Sequence, residues 1–137
     1  MLDDLGILAA LSWFCREFAL TYPDIQIQQK IAVEEDEVPE NLKLVIYRVL
    51  QESLNNIAKH SSAALVGLSL KKTKKTLEFS IKDNGRGFNL EHALSQPGEK
   101  GGLGLAGMMK RIDLSGGVCN ITSEEKKGTQ IKALWQL

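Results

Sequence analysis

The sequence predicts an α/β fold: a two-layer sandwich of a mixed, mostly antiparallel sheet and about three helices. Two observations carry this. Apolar residues recur at helical spacing in three stretches and at alternate positions in others. The stretches follow the order helix, strand, helix, hairpin, loop, helix, hairpin, and strands that arrive as hairpins pair antiparallel. A third observation sets the scale: 137 residues with 43% hydrophobic content make one domain with a real core, without disulfide or metal staples.

The first 20 residues read as a helix with Leu5, Leu8, Ala9, Leu11 (or Ser12) and Cys15 on its apolar face. Asp3 and Asp4 sit near its start, where the helix dipole favours negative charge. Tyr22-Pro23 ends it, because proline disfavours helical geometry in the residue before it. Ile25, Ile27, Ile31 and Val33 then fall on one side of Gln26, Gln28 and Lys30, the pattern of a strand with one buried face. An acidic stretch, residues 34–40 with Pro39 inside it, makes the connection. From Asn41 to about His60 the period is helical again, through Leu42, Val45, Ile46, Val49, Leu50, Leu54 and Ile57.

Val66, Leu68 and Leu70 alternate, as do Leu77, Phe79 and Ile81, so residues 71–75 (KKTKK) form a basic hairpin turn. The lysines read as a solvated turn that discourages aggregation, with a nucleic-acid patch as the alternative. Asp83-Asn84-Gly85-Arg86-Gly87 stops the strand. Residues 89–102 are polar, with Pro97, Gly98, Gly101 and Gly102, and are expected to be partly a mobile loop. A short helix from Leu105 to Ser115 stops at Gly116-Gly117, and strands at 118–122 and 130–137 flank a charged turn containing Gly128.

Composition excludes several classes of function. The 17 basic residues balance 17 acidic ones, so no overall field draws the chain to nucleic acid or to a membrane. Cys15 and Cys119 lie far apart with no partner at metal-ligand spacing, and read as reduced thiols of a cytoplasmic protein. The longest apolar stretch, residues 6–14, falls well short of the ~20 residues of a membrane span and lacks the flanks of a signal peptide. No direct membrane contact is expected, and the abrupt helical opening reads as a piece of a longer protein.

Three clusters carry chemistry. Glu52, Asn56, Lys59 and His60 are spaced to lie along one helix face. A carboxylate, an amide oxygen and a cation there suit a Mg²⁺-nucleotide, because Mg²⁺ takes oxygen ligands and shares its shell with phosphates; a salt-bridged helix end is the alternative. Asp83, with Gly85 and Gly87 behind it, could accept a hydrogen bond from an exocyclic amine while the glycines admit a flat group; an ordinary Asp-Asn-Gly turn is the alternative. Gly101-Gly102-Leu103-Gly104-Leu105-Ala106-Gly107 opens a helix, as phosphate-binding loops do. Gly102, Gly104 and Gly107 also match G-x-G-x-x-G, but residues 95–100 before them cannot be the buried strand that a dinucleotide fingerprint requires.

Together, Glu52 through Lys59-His60, then Asp83-Asn-Gly85-Arg-Gly87, then Gly102-Leu103-Gly104-Leu105, then Gly128-Thr129 resemble the ATP-binding domain of bacterial sensor histidine kinases. That domain shares its ATPase fold with DNA gyrase, the ninety-kilodalton heat-shock chaperone and MutL. Leu2-Asp-Asp-Leu-Gly-Ile-Leu-Ala-Ala-Leu and Tyr47-Arg-Val-Leu-Gln-Glu52 look like the subfamily that partners LuxR/NarL-type response regulators. The resemblance implies ATP and Mg²⁺ as cofactors, with Asn56 the Mg²⁺ ligand. Glu52, Lys59 and His60 would be the catalytic, phosphate-side residues. Asp83 would hold the adenine amine, Gly85 and Gly87 would make room for the base, and Thr129 would support it. Gly102, Leu103, Gly104 and Leu105 would belong to a nucleotide-binding lid.

The resemblance further implies transfer of the γ-phosphoryl of ATP to a histidine and onward to a response-regulator aspartate. The family's acceptor histidine lies on a helix before this region, in this subfamily followed by an acidic residue. Neither His60-Ser61 nor His92-Ala93 fits. Residues 1–22 are therefore expected to be the end of the dimerisation helix, and residues 23–137 the ATP-binding catalytic domain. The implied partners are ATP, the dimerisation domain of the same kinase and a response regulator, with no nucleic acid. A serine-directed anti-sigma-type kinase of the same fold and a non-catalytic nucleotide-binding regulatory module are the alternatives.

Overall fold

The first helix, α1 (Leu2–Thr21), is not one continuous rod. Gly6 breaks it with φ 83° and ψ 173°, and the helix restarts at Ile7 under a side chain from further along the chain. Both oxygens of Glu35 accept from this new N-terminus, Ile7 N–H and Leu8 N–H at 3.0 Å each. Lys43 closes on the same carboxylate at 2.8 Å. A Cβ on Gly6 would lie 2.6 Å from the Glu35 carboxyl carbon.

The break resets the helical phase and corrects the expected apolar face. Leu5 is 60% exposed, whereas Ile7, Ala10, Leu11, Cys15 and Phe18 are buried. The computed structural model describes residues 2–89 and 104–137; the expected loop at 89–102 therefore lies almost wholly outside the described residues.

After α1 come β1 (Gln26–Ala32), a tight helical turn (Glu35–Glu37) and α2 (Glu40–Asn56). A wide π-type turn (Ile57–Ser61) leads to β2 (Leu65–Thr73), β3 (Thr76–Asp83), α3 (Leu105–Leu114), β4 (Gly117–Glu124) and β5 (Gly128–Gln136). The sheet order is β1-β2-β3-β5-β4. Only β1 with β2 is parallel; the other three pairs are antiparallel, so the sheet is mixed and mostly antiparallel as its hairpins dictate. Parallel neighbours need a crossover, and here the crossover contains α2, the helix carrying Glu52 and Asn56.

Alternation sorts the strands' side chains. Val66, Leu68 and Leu70, then Leu77, Phe79 and Ile81, then Ile131, Ala133 and Trp135 are buried on the helix-covered face. They meet Ile46, Val49, Leu50 and Leu54 of α2, and Met108 and Ile112 of α3. Trp135 satisfies its indole N–H on Ser115 Oγ at 2.8 Å. On the opposite face Glu78 draws Lys71 to 3.3 Å and Lys132 to 3.9 Å. Residues Ile7, Leu11, Cys15 and Phe18 belong to this same core, so packing is continuous across residue 22. No helix among the described residues is long and apolar enough to cross a membrane, and Cys15 and Cys119 are both free thiols.

Candidate functional site

Asp83 ends β3 on the helix-covered face, directly opposite Thr129 of β5. It is 5% exposed. Its Oδ1 accepts Gly85 N–H at 2.8 Å, and Thr129 donates its backbone N–H to the same carboxylate. Burial nonetheless pushes the Asp83 carboxyl above its ordinary value, outweighing both donors. No lysine or arginine among the described residues pairs with it. The result is a desolvated acceptor with lone pairs to spare.

The segment after Asp83 is held from three directions. Asn84 Oδ1 accepts Ala64 N–H and Leu65 N–H, both at 3.0 Å, and so anchors the start of β2. Arg86 Nε donates to the His60 carbonyl at 2.5 Å, tying the segment to the π-type turn that follows α2. The Arg86 carbonyl accepts Lys126 N–H at 2.5 Å, from the β4–β5 turn. Gly87, at φ 64°, passes so close to that turn that a Cβ would run into the Glu124 carbonyl. Next, Phe88 N–H donates to Ser123 Oγ at 2.9 Å, and Ser123 Oγ lies 2.8 Å from Thr129 Oγ1.

A second group forms between α2 and α3. Glu52 and Asn56 stand one turn apart on α2, exposed and half-buried respectively. Gly104 caps α3 at φ 61°, and a Cβ there would overlap Glu52 Oε1; the position needs glycine twice over, for its backbone and for the approach of Glu52. Glu52, Asn55, Gly104 and Gly107 border a groove of about 810 Å³, with Arg48 and Arg111 on its rim. A Cβ on Gly107 would meet nothing within 4 Å, so the third glycine of G-x-G-x-x-G has no packing duty of the dinucleotide kind.

The sequence reading carries α2 to about His60, but the regular helix ends at Asn56 and widens into the π-type turn, closed by Ser62 at φ 54°. That turn shifts the phase, so Lys59 and His60 do not continue the Glu52–Asn56 face at α-helical spacing. Turns of this kind are frequent at functional sites. Among the other expected site residues, Gly85, Gly87 and Thr129 gather at Asp83, and Gly104 gathers with Glu52. Leu105 is a core residue, 4% exposed. Gly102 and Leu103 lie outside the described residues.

Three residues of the assembly had no role in the sequence reading: Asn84 and Arg86, quoted only as part of the Asp83–Gly87 motif, and Ser123. Ser123 had a signal in its alternation with Cys119 and Ile121, but its meaning depends on the register that sets it opposite Thr129.

Comparison with known proteins decides the family. A model described as histidine kinase-, DNA gyrase B- and HSP90-like ATPase matches residues 41–137. The chain belongs to this ATPase family. Among its relatives is the signal transduction histidine-protein kinase/phosphatase DegS of Brevibacillus brevis, 30% identical over 130 residues, covering 95% of this chain and 32% of that protein. The protein of the same name from Bacillus subtilis (strain 168) is 31% identical over 136 residues, covering 95% of this chain and 34% of its own length. The chain thus spans about a third of the length of these histidine kinase relatives. In fold it is similar to the histidine kinase domain of the Erythrobacter litoralis EL346 blue-light activated histidine kinase, with TM-score 0.77 at 18% identity, covering 96% of this chain and 61% of that one.

Proposed function

We propose that this ATPase-family chain binds Mg-ATP and donates its γ-phosphoryl group to a histidine on the dimerisation domain of the same kinase, for onward transfer to a response-regulator aspartate. The observation that carries the reading is Asp83: a buried carboxylate held by two backbone donors on the helix-covered face, with no cation paired to it among the described residues. Its remaining lone pairs suit the exocyclic amine of adenine. Thr129 stands beside it, Gly85 would leave room for the base, and Gly87, whose Cβ would meet the Glu124 carbonyl, lets the segment pass close to the β4–β5 turn.

The triphosphate would then run toward α2 and Gly104. Asn56 would ligate Mg²⁺ through its amide oxygen, with the Glu52 carboxylate nearby, and Lys59 and His60 would serve the phosphate side. The donor chemistry fits: Mg²⁺ takes hard oxygen ligands and needs only one or two from the protein when phosphates complete its shell. When bound, the ion neutralises charge on the phosphates. In the transfer, the acceptor imidazole nitrogen forms a bond to the γ-phosphorus as the bond to the bridging oxygen breaks and ADP leaves. The protein's work in such a step is positioning and charge stabilisation.

Gly102, Leu103, Gly104 and Leu105 would form the lid hinge, with buried Leu105 as its fixed end. Residues 1–22 would be the end of the dimerisation helix and residues 23–137 the ATP-binding catalytic domain, with Ile7, Leu11, Cys15 and Phe18 packing the helix onto the domain's core. A LuxR/NarL-type regulator as partner, and a cytoplasmic position where ATP is available, complete the proposal.

The test is calorimetric titration of a non-hydrolysable Mg-ATP analogue into the wild type and Asp83→Asn. Binding that falls at least tenfold in the variant supports the site; unaltered affinity puts the adenine elsewhere, and no binding by the wild type refutes the reading. Incubation with ATP and a separate histidine-bearing dimerisation fragment then tests the transfer.

A further inference from the structure

Beside Asp83 lies a pair of hydroxyls, Ser123 and Thr129, 2.8 Å apart, either of which can donate to the other. Ser123 Oγ accepts Phe88 N–H at 2.9 Å. Its single hydrogen has two acceptors to choose from, Thr129 Oγ1 at 2.8 Å and the Gly128 carbonyl at 3.4 Å. A hydroxyl bond is normally 2.7–2.8 Å, and one at 3.4 Å is weak, so Thr129 is the better of the two acceptors open to the Ser123 hydrogen. In that order Thr129 accepts with one lone pair and keeps its own hydrogen for an acceptor outside the pair, such as a bound base.

Strand alternation puts Ser123, Thr129 and Asp83 side by side on the helix-covered face, in register across β4, β5 and β3. Asp83 there accepts and Thr129 donates. Adenine offers the complement, an amine donor next to the N1 acceptor, whereas guanine offers the reverse, a carbonyl acceptor next to an N–H donor.

We infer that Ser123 is a positioning residue for base choice: it fixes the Thr129 hydroxyl as a donor and so favours adenine over guanine. The inference rests on the proposed nucleotide site and adds a residue and a polarity to it. Ser123 also holds Phe88, so the same hydroxyl aligns the segment after Asp83 with the β4–β5 hairpin. The opposite order, with Thr129 donating to Ser123 and Ser123 to Gly128, would present only a lone pair to the base and lose the adenine complement.

The experiment measures affinities of the whole chain for the Mg complexes of non-hydrolysable ATP and GTP analogues, by calorimetry with competition for the weaker ligand. Wild type, Ser123→Ala and Ser123→Thr are compared, with a thermal melt of each. Ser123→Ala is expected to weaken the ATP analogue about five- to tenfold, the worth of one hydrogen bond of about 1 kcal/mol or slightly more. The GTP analogue is left nearly unchanged, so the preference narrows by the same factor. Ser123→Thr, which keeps the hydroxyl, restores the wild-type ratio.

Equal weakening of both nucleotides, or an unaltered ratio in Ser123→Ala, overturns the inference and leaves Ser123 a purely structural residue. If Ser123→Ala does not fold, Ser123→Cys replaces it: a weaker hydrogen-bonding group is expected to give an intermediate ratio, and a wild-type ratio overturns the inference. A wild type that binds neither nucleotide refutes the proposed function itself, a result distinct from any of these.

Discussion

Glu35 and Asp83 sit in different regions of the molecule, each accepting two backbone N–H groups, yet their titrations are displaced in opposite directions. At Asp83, burial raises the pKa and the backbone donors from Gly85 and Thr129 do not cancel it. At Glu35, burial also pushes upward, but the Lys43 ammonium and the Leu8 and Ile7 donors together bring the carboxyl below its ordinary value. Two things differ, a cation and the depth of burial: Glu35 pairs with Lys43 and is partly open to water, whereas Asp83 is buried and pairs with no cation among the described residues. A carboxylate that holds a helix end is neutralised within the fold; under the proposed function Asp83 keeps its acceptor capacity for a ligand at the expense of stability.

Breaking the comparison at Asp83 gives the largest expected effect. Asp83→Asn should weaken Mg-ATP-analogue binding by about 1.5–3 kcal/mol, the worth of a hydrogen bond to a charged group, or roughly ten- to more than a hundredfold. Its apo form should melt no lower than the wild type, because a desolvated charge has been removed. A large drop in melting temperature would show that Asp83 stabilises the fold and would dissolve the contrast with Glu35.

The converse change is Glu35→Ala, which strips the acceptor from Ile7 and Leu8. Loss of a helix cap costs about 0.5–2 kcal/mol, and denaturant titration should find a loss in that range with nucleotide affinity intact. Reduced affinity would mean that the Gly6–Glu35 elbow and the nucleotide site are coupled.

Acidification sharpens the comparison further, and the two carboxyls respond with opposite sign. Asp83 takes up its proton more readily folded than unfolded. Its contribution to stability therefore improves as pH falls through its raised value, while nucleotide affinity falls over that window. Glu35 contributes fully above its ordinary pKa, and that contribution is lost only as pH drops through its lowered folded value. As pH falls, the loss of affinity should therefore accompany a gain in stability at Asp83, whereas Glu35 contributes only a loss of stability. Parallel titrations of affinity and unfolding free energy check this, with Asp83→Asn expected to flatten the affinity profile. The smallest effect is expected of Lys43→Met, a loss in denaturant titration smaller than that of Glu35→Ala, since Glu35 is partly open to water and such pairs are weak.

Most of the scaffold was legible because burial on one side of a sheet writes a period of two into the chain. Val66, Leu68 and Leu70 opposite Leu77, Phe79 and Ile81 needed no more than that. The acceptor at Asp83 and its glycines were readable as a local motif, and Glu52 with Asn56 as a helical interval. What stayed hidden depends on contacts distant in sequence. A glycine in a helical pattern is usually only a weak spot, and nothing near Gly6 announces that Glu35 will cap a helix restarting at Ile7. The widening after Asn56 is likewise a matter of backbone hydrogen-bond register, to which the periodicity of Leu54 and Ile57 is blind. Ser123 acquires meaning only when β4 is laid beside β5.

The pairing of β3 with β5 also has a consequence for synthesis on the ribosome. Asp83 and Gly85 leave the exit tunnel together, so the first donor is supplied at once. The second, Thr129 N–H, belongs to the last strand described. Until that strand docks, the carboxylate faces water with one donor, and neither its depth of burial nor its altered acidity exists. At roughly 5–20 residues per second, several seconds separate the two events. Under the proposed function, nucleotide competence would therefore arrive with β5 in a single late step, and a nascent chain stalled before Gly128 would carry the Asp83 motif without the second donor that completes it.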